Sequence, residues 1–479
     1  MARPPFVGLN VRPADGRRAV ALDIVRAVAD AVAAGRLPAG CRLPPVRALE
    51  HQLGISKNTV QAAYDELAAR GLLLARERDG VFVAAPTAEH APAAPAFHPR
   101  RPELAPIGLD TTPVPPGVLS LSTVFIDPAL LPIERLQDCF RSVLAQPGLR
   151  PFYDPRGHRP LREAIARRLV ARGMDVAPDD VLITSGSQQA LDLVGRTLAR
   201  KRVALEDPVY AQARLMFDNH GASVLGLPLD PFAAGVDLDA WERAIAAFRP
   251  ALLYAITSYQ NPTGNSYATH ELEAMLAWSE RHGVGLLEDD WGSDMLSGSD
   301  VRPTLRALGG RDVLYVNSFT KKVLPALRLG FLVAPPELMP TLIAAKRLAT
   351  LATPPFTEEA LCEFLERGYY DTHLAALQAA LDRRYHACLA ALAELMPPGV
   401  RWTTPGGGPT LWLEMPPEVD LARLRAAALA RGVHLEASSA QFAGAPHLNG
   451  FRVSYAFLTE GDMRRALGVV REALEVSTT

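Results

Sequence analysis

The chain is poor in lysine and in cysteine. Lysine supplies only five of its 50 basic residues, and the four cysteines, Cys41, Cys139, Cys362 and Cys388, are far apart in the sequence. The cysteines lack the short spacing of metal ligands and follow no secretory signal, which argues against a disulfide framework and a cysteine-held metal. We expect four free thiols, no metal site and a cytoplasmic location.

Long apolar runs and a strong net charge are also missing. No apolar run reaches the length that crosses a membrane, so no membrane partner is expected. The formal net charge is only -2, with 21% charged residues, which is ordinary for a globular protein. A chain of 479 residues is too long for a single hydrophobic core, and we expect two or three domains.

The positive charge is concentrated at the N-terminus. Residues 1–85 contain twelve Arg or Lys and eight Asp or Glu, a balance of about +4, whereas the rest of the chain has 38 and 44, about -6. A basic excess confined to one small segment is typical of a nucleic-acid-binding module.

The same N-terminal segment has the pattern of a small helical domain. Residues 20 to about 34, VALDIVRAVADAVAA, have apolar residues at helical spacing, and a short second helix, VRALEHQLG, follows. Ser56 is the expected N-cap of a third helix, KNTVQAAYDELAARG. The run GLLLARERDGVFVAAP predicts a hairpin that turns at Asp79 and Gly80. Three helices and a two-stranded wing predict a winged helix-turn-helix over residues 1–85.

The remainder has two further parts. Residues 86–118 contain nine prolines, and we interpret them as an interdomain linker. From residue 119, apolar runs such as RVALED, VGLLEDD and DVLYVNSF alternate with helical patterns, which predicts a parallel sheet in an α/β domain over 119–479. Helices and then the strands TLWLEM and FRVSYAF predict a smaller α+β C-terminal part, about 346–479.

Seven short segments of this α/β region carry residues suited to chemistry. They are PFYDPRGHRPLREAI, TSGSQQALDLV, EDPVYAQAR, SYQNPTGN, LLEDDWGS, SFTKKVLPALRLG and FRVSYAF. In this order they make residues 119–479 resemble a fold-type I aminotransferase, and residues 35–83 look like the winged helix of the GntR regulators. The fusion resembles the MocR-like subfamily of GntR transcription regulators. It implies a multidomain α/β chain with a large α/β part and a small α+β C-terminal part.

The resemblance implies pyridoxal 5'-phosphate (PLP) as the cofactor, held by a lysine as a Schiff base. Lys321 lies seven residues before Arg328, as in the family's S-F-S-K-x-x-x-P-x-L-R-x-G segment, and is therefore the implied catalytic lysine. Lys322 is then a bystander. Taken alone, adjacent lysines would more often form a solvated surface pair, but the whole ordered set of segments favours the cofactor lysine.

The resemblance also implies the groups that hold the cofactor phosphate. Ser318, Thr320 and Arg328 stand at the family's hydroxyl and guanidinium positions. Ser187 and Gln188 would offer backbone amides at the start of a helix, where anions bind readily.

Three further residues are implied at the cofactor ring. Asp289, rather than Asp290, stands where the family's carboxylate keeps the pyridine nitrogen protonated. Asn261 stands at the position that hydrogen-bonds the phenolic oxygen, and Tyr210 stands where an aromatic side chain stacks on the ring.

Two residues are implied to reach other molecules, and one departs from the family. Tyr153 matches the tyrosine that contacts the phosphate of the neighbouring subunit, which implies a homodimer. Arg452 matches the arginine that grips a substrate carboxylate. Trp291 stands where most of the family has tyrosine, so control of aldimine protonation should differ. The N-P-T-G turn, by contrast, is kept as in an enzyme.

At the N-terminus the resemblance implies contact with a double-stranded DNA operator. The predicted contacts are Arg47, Ser56, Lys57, Asn58, Thr59, Gln61 and Gly80. Exposed basic residues are more often merely solvated, but Lys57 begins the recognition helix and Arg47 is the arginine of the family's L-P-x-x-R segment.

The sequence therefore predicts a PLP-dependent transcription regulator that senses a small amine, an amino acid or PLP through aldimine formation on Lys321. Whether it turns over substrate is left open. The alternative is an active aminotransferase with an accessory DNA-binding domain. A regulator that has lost the cofactor is disfavoured, because the lysine, aspartate and arginine are all present.

Overall fold

A computed structural model describes residues 9, 11, 20–76, 79–85, 107–109, 112–146, 153–295 and 302–477. The chain divides into two units, Met1–Leu104 and Ala105–Thr479. Most of the predicted linker lies outside the described residues, so the predicted domain boundaries stay predictions. Among the described helices, none is long and apolar enough to cross a membrane.

The N-terminal unit contains the three predicted helices and the predicted hairpin. Its elements are α1 (Ala21–Ala33), α2 (Val46–Leu53), α3 (Lys57–Ala69), β1 (Leu73–Arg76) and β2 (Gly80–Val83), with the two strands antiparallel. Gly54 ends α2 with a φ of 63°, in the left-handed region that favours glycine. The Ser56 side chain accepts a hydrogen bond from the Thr59 amide and so caps α3.

One face of α3 supplies much of this unit's core. Val60, Tyr64 and Leu67 are buried together with Ile24 of α1. Burying each such side chain fully contributes roughly 1.5–3 kcal/mol. The Tyr64 hydroxyl donates to the Pro44 carbonyl at 2.8 Å, so the polar end of this buried side chain has a hydrogen-bond partner. The opposite face of α3 is exposed.

The C-terminal unit alternates strands and helices. Its strands are β3 (Leu119–Ser120), β4 (Val181–Thr184), β5 (Arg202–Asp207), β6 (Ser223–Pro228), β7 (Leu252–Ala255), β8 (Gly285–Asp289), β9 (Leu314–Ser318), β10 (Gly330–Val333), β11 (Arg401–Trp402), β12 (Thr410–Glu414), β13 (Val433–His434) and β14 (Gly450–Ser454). Its helices are α4 (Ile133–Ala145), α5 (Arg159–Ala171), α6 (Ser187–Thr197), α7 (Ala211–Asn219), α8 (Leu238–Phe248), α9 (Thr269–His282), α10 (Leu305–Gly309), α11 (Met339–Thr350), α12 (Pro355–Glu366), α13 (Tyr369–Leu395), α14 (Leu421–Ala430) and α15 (Glu460–Leu474).

Seven of these strands form the large sheet, in the order β4-β10-β9-β8-β7-β5-β6. The pairs among β5, β6, β7, β8 and β9 are parallel, whereas β10 is antiparallel to both β4 and β9. Strands β4, β7, β9 and β10 are buried along their whole length, which explains their nearly continuous apolar sequence. The parallel strands bring their carboxyl ends to one edge, where polar side chains from distant parts of the chain meet.

The C-terminal part has its own small sheets and core. Strands β11, β12 and β14 pair antiparallel, and β13 pairs in parallel with β3 from the beginning of the unit. The core there contains Leu121 together with residues from Tyr385 to Leu474. The pairing of β3 with β13 therefore brings residues that follow both strands next to β14.

Candidate functional site

A cavity of about 500 Å³ lies where the carboxyl ends of β8 and β9 face the start of α6. Its polar lining includes residues of all three elements, and Phe125, Leu215 and Trp291 are among its apolar lining. A concave site with a few converging polar groups at the carboxyl edge of a sheet is a typical small-molecule site.

The Lys321 side chain lines this cavity. Its Nζ lies 4.1 Å from the centroid of the Phe125 ring. Burial, and after it the charges of Arg452 and Arg328, lower the pKa of Lys321 to about 7, against the opposing effect of Glu436. A substantial fraction of the amine is therefore neutral, and so nucleophilic, near neutral pH.

Lys322 has a different environment. Its side chain is only 1% exposed, and its amine donates to Asn317 Oδ1 at 2.6 Å and pairs with Asp294 Oδ2 at 3.0 Å. Burial disfavours ionisation of Asp294, but Lys322 and Arg172 outweigh it and hold the pKa of Asp294 well below its usual range. The Lys322 amine is thus committed to a buried ion-pair network.

The start of α6 lies close to Thr320 and Arg328, and we call this arrangement the cradle. Gly186, the N-cap of α6, has a φ of 80°, and a Cβ added there would lie 3.2 Å from Arg328 Nη2 and 3.3 Å from Thr320 Oγ1. Only glycine allows this close approach. Thr320 Oγ1 is buried without a hydrogen-bond partner among the described residues, so the cradle holds an unused donor.

The other predicted phosphate ligands also line the cavity. Ser187 and Gln188 lie in the first turn of α6, whose free amides and dipole favour an anion. Ser318 lies at the end of β9, but its hydroxyl donates to the Leu329 carbonyl at 3.1 Å and accepts from the Thr320 amide at 3.1 Å. Through these two hydrogen bonds the Ser318 hydroxyl stabilises the turn that contains Thr320.

The two aspartates at the end of β8 differ in their surroundings. Asp289 lines the cavity; its Oδ2 accepts from the Tyr254 hydroxyl at 2.8 Å, and its Oδ1 is buried without a partner among the described residues. Burial raises the pKa of Asp289 to about 7. Asp290 instead pairs with Arg172 at 3.0 Å and accepts from Tyr315.

Tyr210, Asn261 and Trp291 also line the cavity. The Tyr210 hydroxyl donates to Gln188 Oε1 at 3.2 Å, and burial, followed by the nearby Asp289 carboxylate, raises the pKa of Tyr210 to about 12. Asn261 faces the cavity and accepts from Arg452. The Trp291 indole donates to the Tyr259 carbonyl at 3.1 Å, so its one donor is already used.

Tyr153 is 47% exposed and lies next to residues 147–152, which are outside the described part of the chain. Its predicted contact with a neighbouring subunit stays a prediction.

The predicted carboxylate ligand Arg452 already has a carboxylate partner. Arg452 is 8% exposed; its Nη1 donates to Asn261 Oδ1 at 2.8 Å, and its Nη2 donates to the Ser122 carbonyl at 2.9 Å and to Glu436 Oε2 at 2.6 Å. The sequence analysis did not find Glu436, because nothing in the segment HLEASS indicates that it meets a strand sixteen residues further on.

The N-terminal unit presents most of the predicted DNA contacts on its surface. Exposed residues are Arg47, Ser56, Lys57, Asn58 and Gln61, whereas Thr59 and Gly80 are half-buried. Ser56 and Thr59 form the α3 cap, with 2.8 Å between their hydroxyl oxygens, and Gln61 donates to Asp65 at 2.8 Å. Arg47 and Lys57 are free of any such capping role and remain the better candidates for phosphate contacts.

Comparison with known proteins identifies both units. The family model "Aminotransferase class I and II" matches residues 127–470, and the model "Bacterial regulatory proteins, gntR family" matches residues 20–83. The gntR match implies DNA binding.

Relatives of two kinds are similar to the chain. The 2-aminoadipate transaminase of Thermus thermophilus is 34% identical over 351 residues, which cover 72% of this chain and 86% of the relative. The probable rhizopine catabolism regulatory protein MocR of Rhizobium meliloti is 28% identical over 458 residues, which cover 92% of this chain and 91% of the relative.

A solved structure shares the fold of the larger unit. LysN, the alpha-aminoadipate aminotransferase of Thermus thermophilus, complexed with N-(5'-phosphopyridoxyl)-L-leucine, has a TM-score of 0.71 and 33% identity. The match covers 75% of this chain and 93% of LysN, and this complex, together with the family match, implies PLP as the cofactor. The predicted fold class is confirmed: the chain belongs to the class I and II aminotransferase family and, with its GntR domain, to the MocR-like subfamily of GntR transcription regulators.

Proposed function

We propose that the chain is a PLP-dependent transcription regulator whose aminotransferase-like unit senses a small amine, an amino acid or PLP itself at Lys321. One observation carries the proposal: Lys321, Asp289 and the Gly186 cradle converge on one cavity in a chain that also has a GntR winged helix.

The residues around the cavity fit PLP. The cradle of Gly186, Thr320 and Arg328 leaves room and an unused hydroxyl for a phosphate. Asp289 Oδ1, buried and unpaired among the described residues, suits the protonated nitrogen of a pyridine ring. Lys321 offers an amine with a pKa of about 7.

When bound, PLP supplies an aldehyde that condenses with primary amines and a ring that withdraws electrons. The chain's own groups set the conditions for this chemistry. Lys321 would provide the neutral amine, and Asp289, whose other oxygen is held by Tyr254, would accept from the ring N–H. Arg328 would balance the phosphate charge. Trp291 adds no titratable group, because its indole donates to a backbone carbonyl.

The binding of an effector at Lys321 would be reported to DNA by the two winged-helix units of a homodimer. A ligand shifts such an equilibrium only by its differential affinity for two arrangements of the dimer. In this proposal the two arrangements of the dimer differ in their affinity for an operator with paired half-sites.

Borohydride reduction of the protein purified with PLP, followed by peptide mapping, tests the cofactor assignment. We expect the label on Lys321, and we expect Lys321→Ala to lose the visible absorbance band. Lys322→Met should keep the band, although loss of the buried partner of Asp294 should lower the free energy of unfolding by about 3 kcal/mol. A label on Lys322 would show that the lysine assignment is wrong.

The second candidate is a working aminotransferase, favoured by the similarity to a 2-aminoadipate transaminase and by the N-P-T-G turn, which is kept as in an enzyme. The two candidates differ in turnover. Sustained formation of keto acid from an amino donor, over many cycles, would favour the enzyme; a ligand-dependent change of spectrum and of DNA affinity without turnover supports the regulator.

A further inference from the structure

Glu436 holds the position at Arg452 that a ligand carboxylate would otherwise take. A guanidinium has five N–H donors and binds a carboxylate through two parallel N–H bonds. Two pairs of nitrogens can bind a carboxylate in this way, Nη1 with Nη2 and Nε with Nη2. Either mode of binding therefore uses an Nη2 hydrogen. In Arg452 the two Nη2 hydrogens serve Ser122 and Glu436.

The fold fixes this arrangement. Glu436 follows β13, and Ser122 follows β3, the strand that pairs with β13. The Glu436 amide also donates to Ser122 Oγ at 2.7 Å. Both acceptors therefore meet Arg452 on β14 as a consequence of strand pairing, and the Glu436 carboxylate is the one that can move, since its side chain is 40% exposed.

The Arg452–Glu436 ion pair influences residues that line the Lys321 cavity. Arg452 donates to Asn261, which lines that cavity. Glu436 and Arg452 also have opposite effects on the pKa values of both Lys321 and Tyr210, after the larger effect of burial. With the ion pair intact, a ligand carboxylate would meet an arginine that is already neutralised.

Much of the cavity wall is apolar. Ile107, Leu109, Phe125, Leu215 and Met216 contribute to its lining. This wall can bury a hydrocarbon chain, which is favourable by about 25 cal/mol for each Å² of apolar surface removed from water.

We propose that Glu436 determines ligand selectivity, so that the site prefers apolar primary amines without a carboxylate on the amine-bearing carbon. This inference rests on the proposed sensing of amines at Lys321. An α-amino acid must first displace Glu436 from Arg452, whereas an amine leaves the ion pair in place.

The test compares two ligands that differ only in the carboxylate, L-leucine and isopentylamine, titrated into the full-length PLP-bound protein and followed by absorbance. Wild-type protein should bind isopentylamine more tightly than leucine. Glu436→Gln keeps the size of the side chain and removes its charge. It should raise the affinity for leucine relative to isopentylamine by about tenfold or more, the effect of one hydrogen bond to a charged group. The quantity compared is the ratio of the leucine affinity to the isopentylamine affinity. A change in the reactivity of Lys321 affects both affinities equally and so does not alter this ratio.

A surface carboxylate provides the control, and Glu472→Gln on α15 should leave the ratio as in wild type. If the ratio is the same in wild type and Glu436→Gln, or if wild type already prefers leucine, the inference is wrong.

A calorimetric titration separates this inference from the proposed function. Isocaproate, which is leucine without its amine, needs no reaction with the cofactor; it should bind Glu436→Gln and not wild type. If the wild-type protein takes up no PLP, the proposed function fails, while the isocaproate result still decides whether Glu436 blocks Arg452. Equal isocaproate binding by both proteins would contradict the assignment of Glu436.

Discussion

The Lys321 amine owes its low pKa to its surroundings. Burial has the largest effect, and Arg452 and Arg328 add to it by repelling a third positive charge, whereas Glu436 opposes them. The adjacent Lys322 amine instead contacts Asp294 and Asn317. Two adjacent lysines thus have different surroundings, one lining the cavity and the other in a buried ion pair.

A pH dependence follows from this environment. The rate at which cofactor-free protein takes up PLP should rise with pH around a midpoint near the Lys321 pKa of about 7, because only the neutral amine attacks an aldehyde. Below the midpoint the amine is protonated and uptake is slow. Glu436→Gln removes the charge that raises this pKa, so its midpoint should lie lower. Absorbance-monitored uptake at a series of pH values measures both; a midpoint near the ordinary value of 10.5 would contradict the assignment.

At the scale of elements, the proposed anion site at the start of α6 depends on contact with the turn after β9. The helix alone would offer free amides, as any helix N-terminus does. Gly186 lets Thr320 and Arg328 approach within van der Waals distance of that terminus, which adds a hydroxyl and a full positive charge.

Gly186→Ala should therefore weaken PLP binding by about tenfold or more, since displacing Arg328 removes a charge-assisted bond of roughly 1.5–3 kcal/mol. The matched control is Gly283→Ala. Gly283 also has a left-handed φ, 62°, but a Cβ there would meet nothing within 4 Å. Both variants should lose stability by about 1–2 kcal/mol from backbone strain. Equal PLP affinities of the two variants, measured by equilibrium titration, would show that the cradle is not the phosphate site.

In the N-terminal unit, α3 is the helix that we expect to contact DNA. Its buried face packs on α1, and its first turn is exposed. Lys57→Ala should weaken DNA binding and reduce the slope of log affinity against log salt by about one if Lys57 contacts a phosphate. Arg70→Ala removes the same charge at the other end of the helix and should have little effect. Unchanged binding of Lys57→Ala at every salt concentration would exclude α3 as the DNA-contacting helix.

The whole molecule combines two units that each have their own hydrophobic core. A small basic unit alone binds DNA mainly through phosphate contacts, with strong salt dependence. Joined in a homodimer, two such units would act at a high effective concentration on paired half-sites.

The full-length protein should therefore bind a DNA with two half-sites at least about 100-fold more tightly than a DNA with one. Residues 1–85 alone should show little difference between the two DNAs. Fluorescence anisotropy at fixed salt concentration measures the four affinities. Equal affinity of the full-length protein for the two DNAs would contradict the paired arrangement.

The sequence by itself determined the elements and their order. Helical apolar spacing, the Ser56 cap and the Asp79-Gly80 turn are local features, and they were sufficient for the winged helix. Apolar runs that alternate with helical patterns were sufficient to predict a parallel sheet, and the resemblance of seven ordered segments to the aminotransferases supplied the site residues. The antiparallel direction of β10 was not predicted, because a fully buried strand has the same apolar sequence in either direction.

Only the tertiary structure decided which side chains meet. Asp289 and Asp290 are adjacent, but successive side chains along a strand point to opposite faces, so one lines the cavity and the other pairs with Arg172. The contact between Glu436 and Arg452 depends on strand pairing between the beginning and the end of the larger unit. Such contacts arise from the packing of distant segments, and no local pattern of residues encodes them.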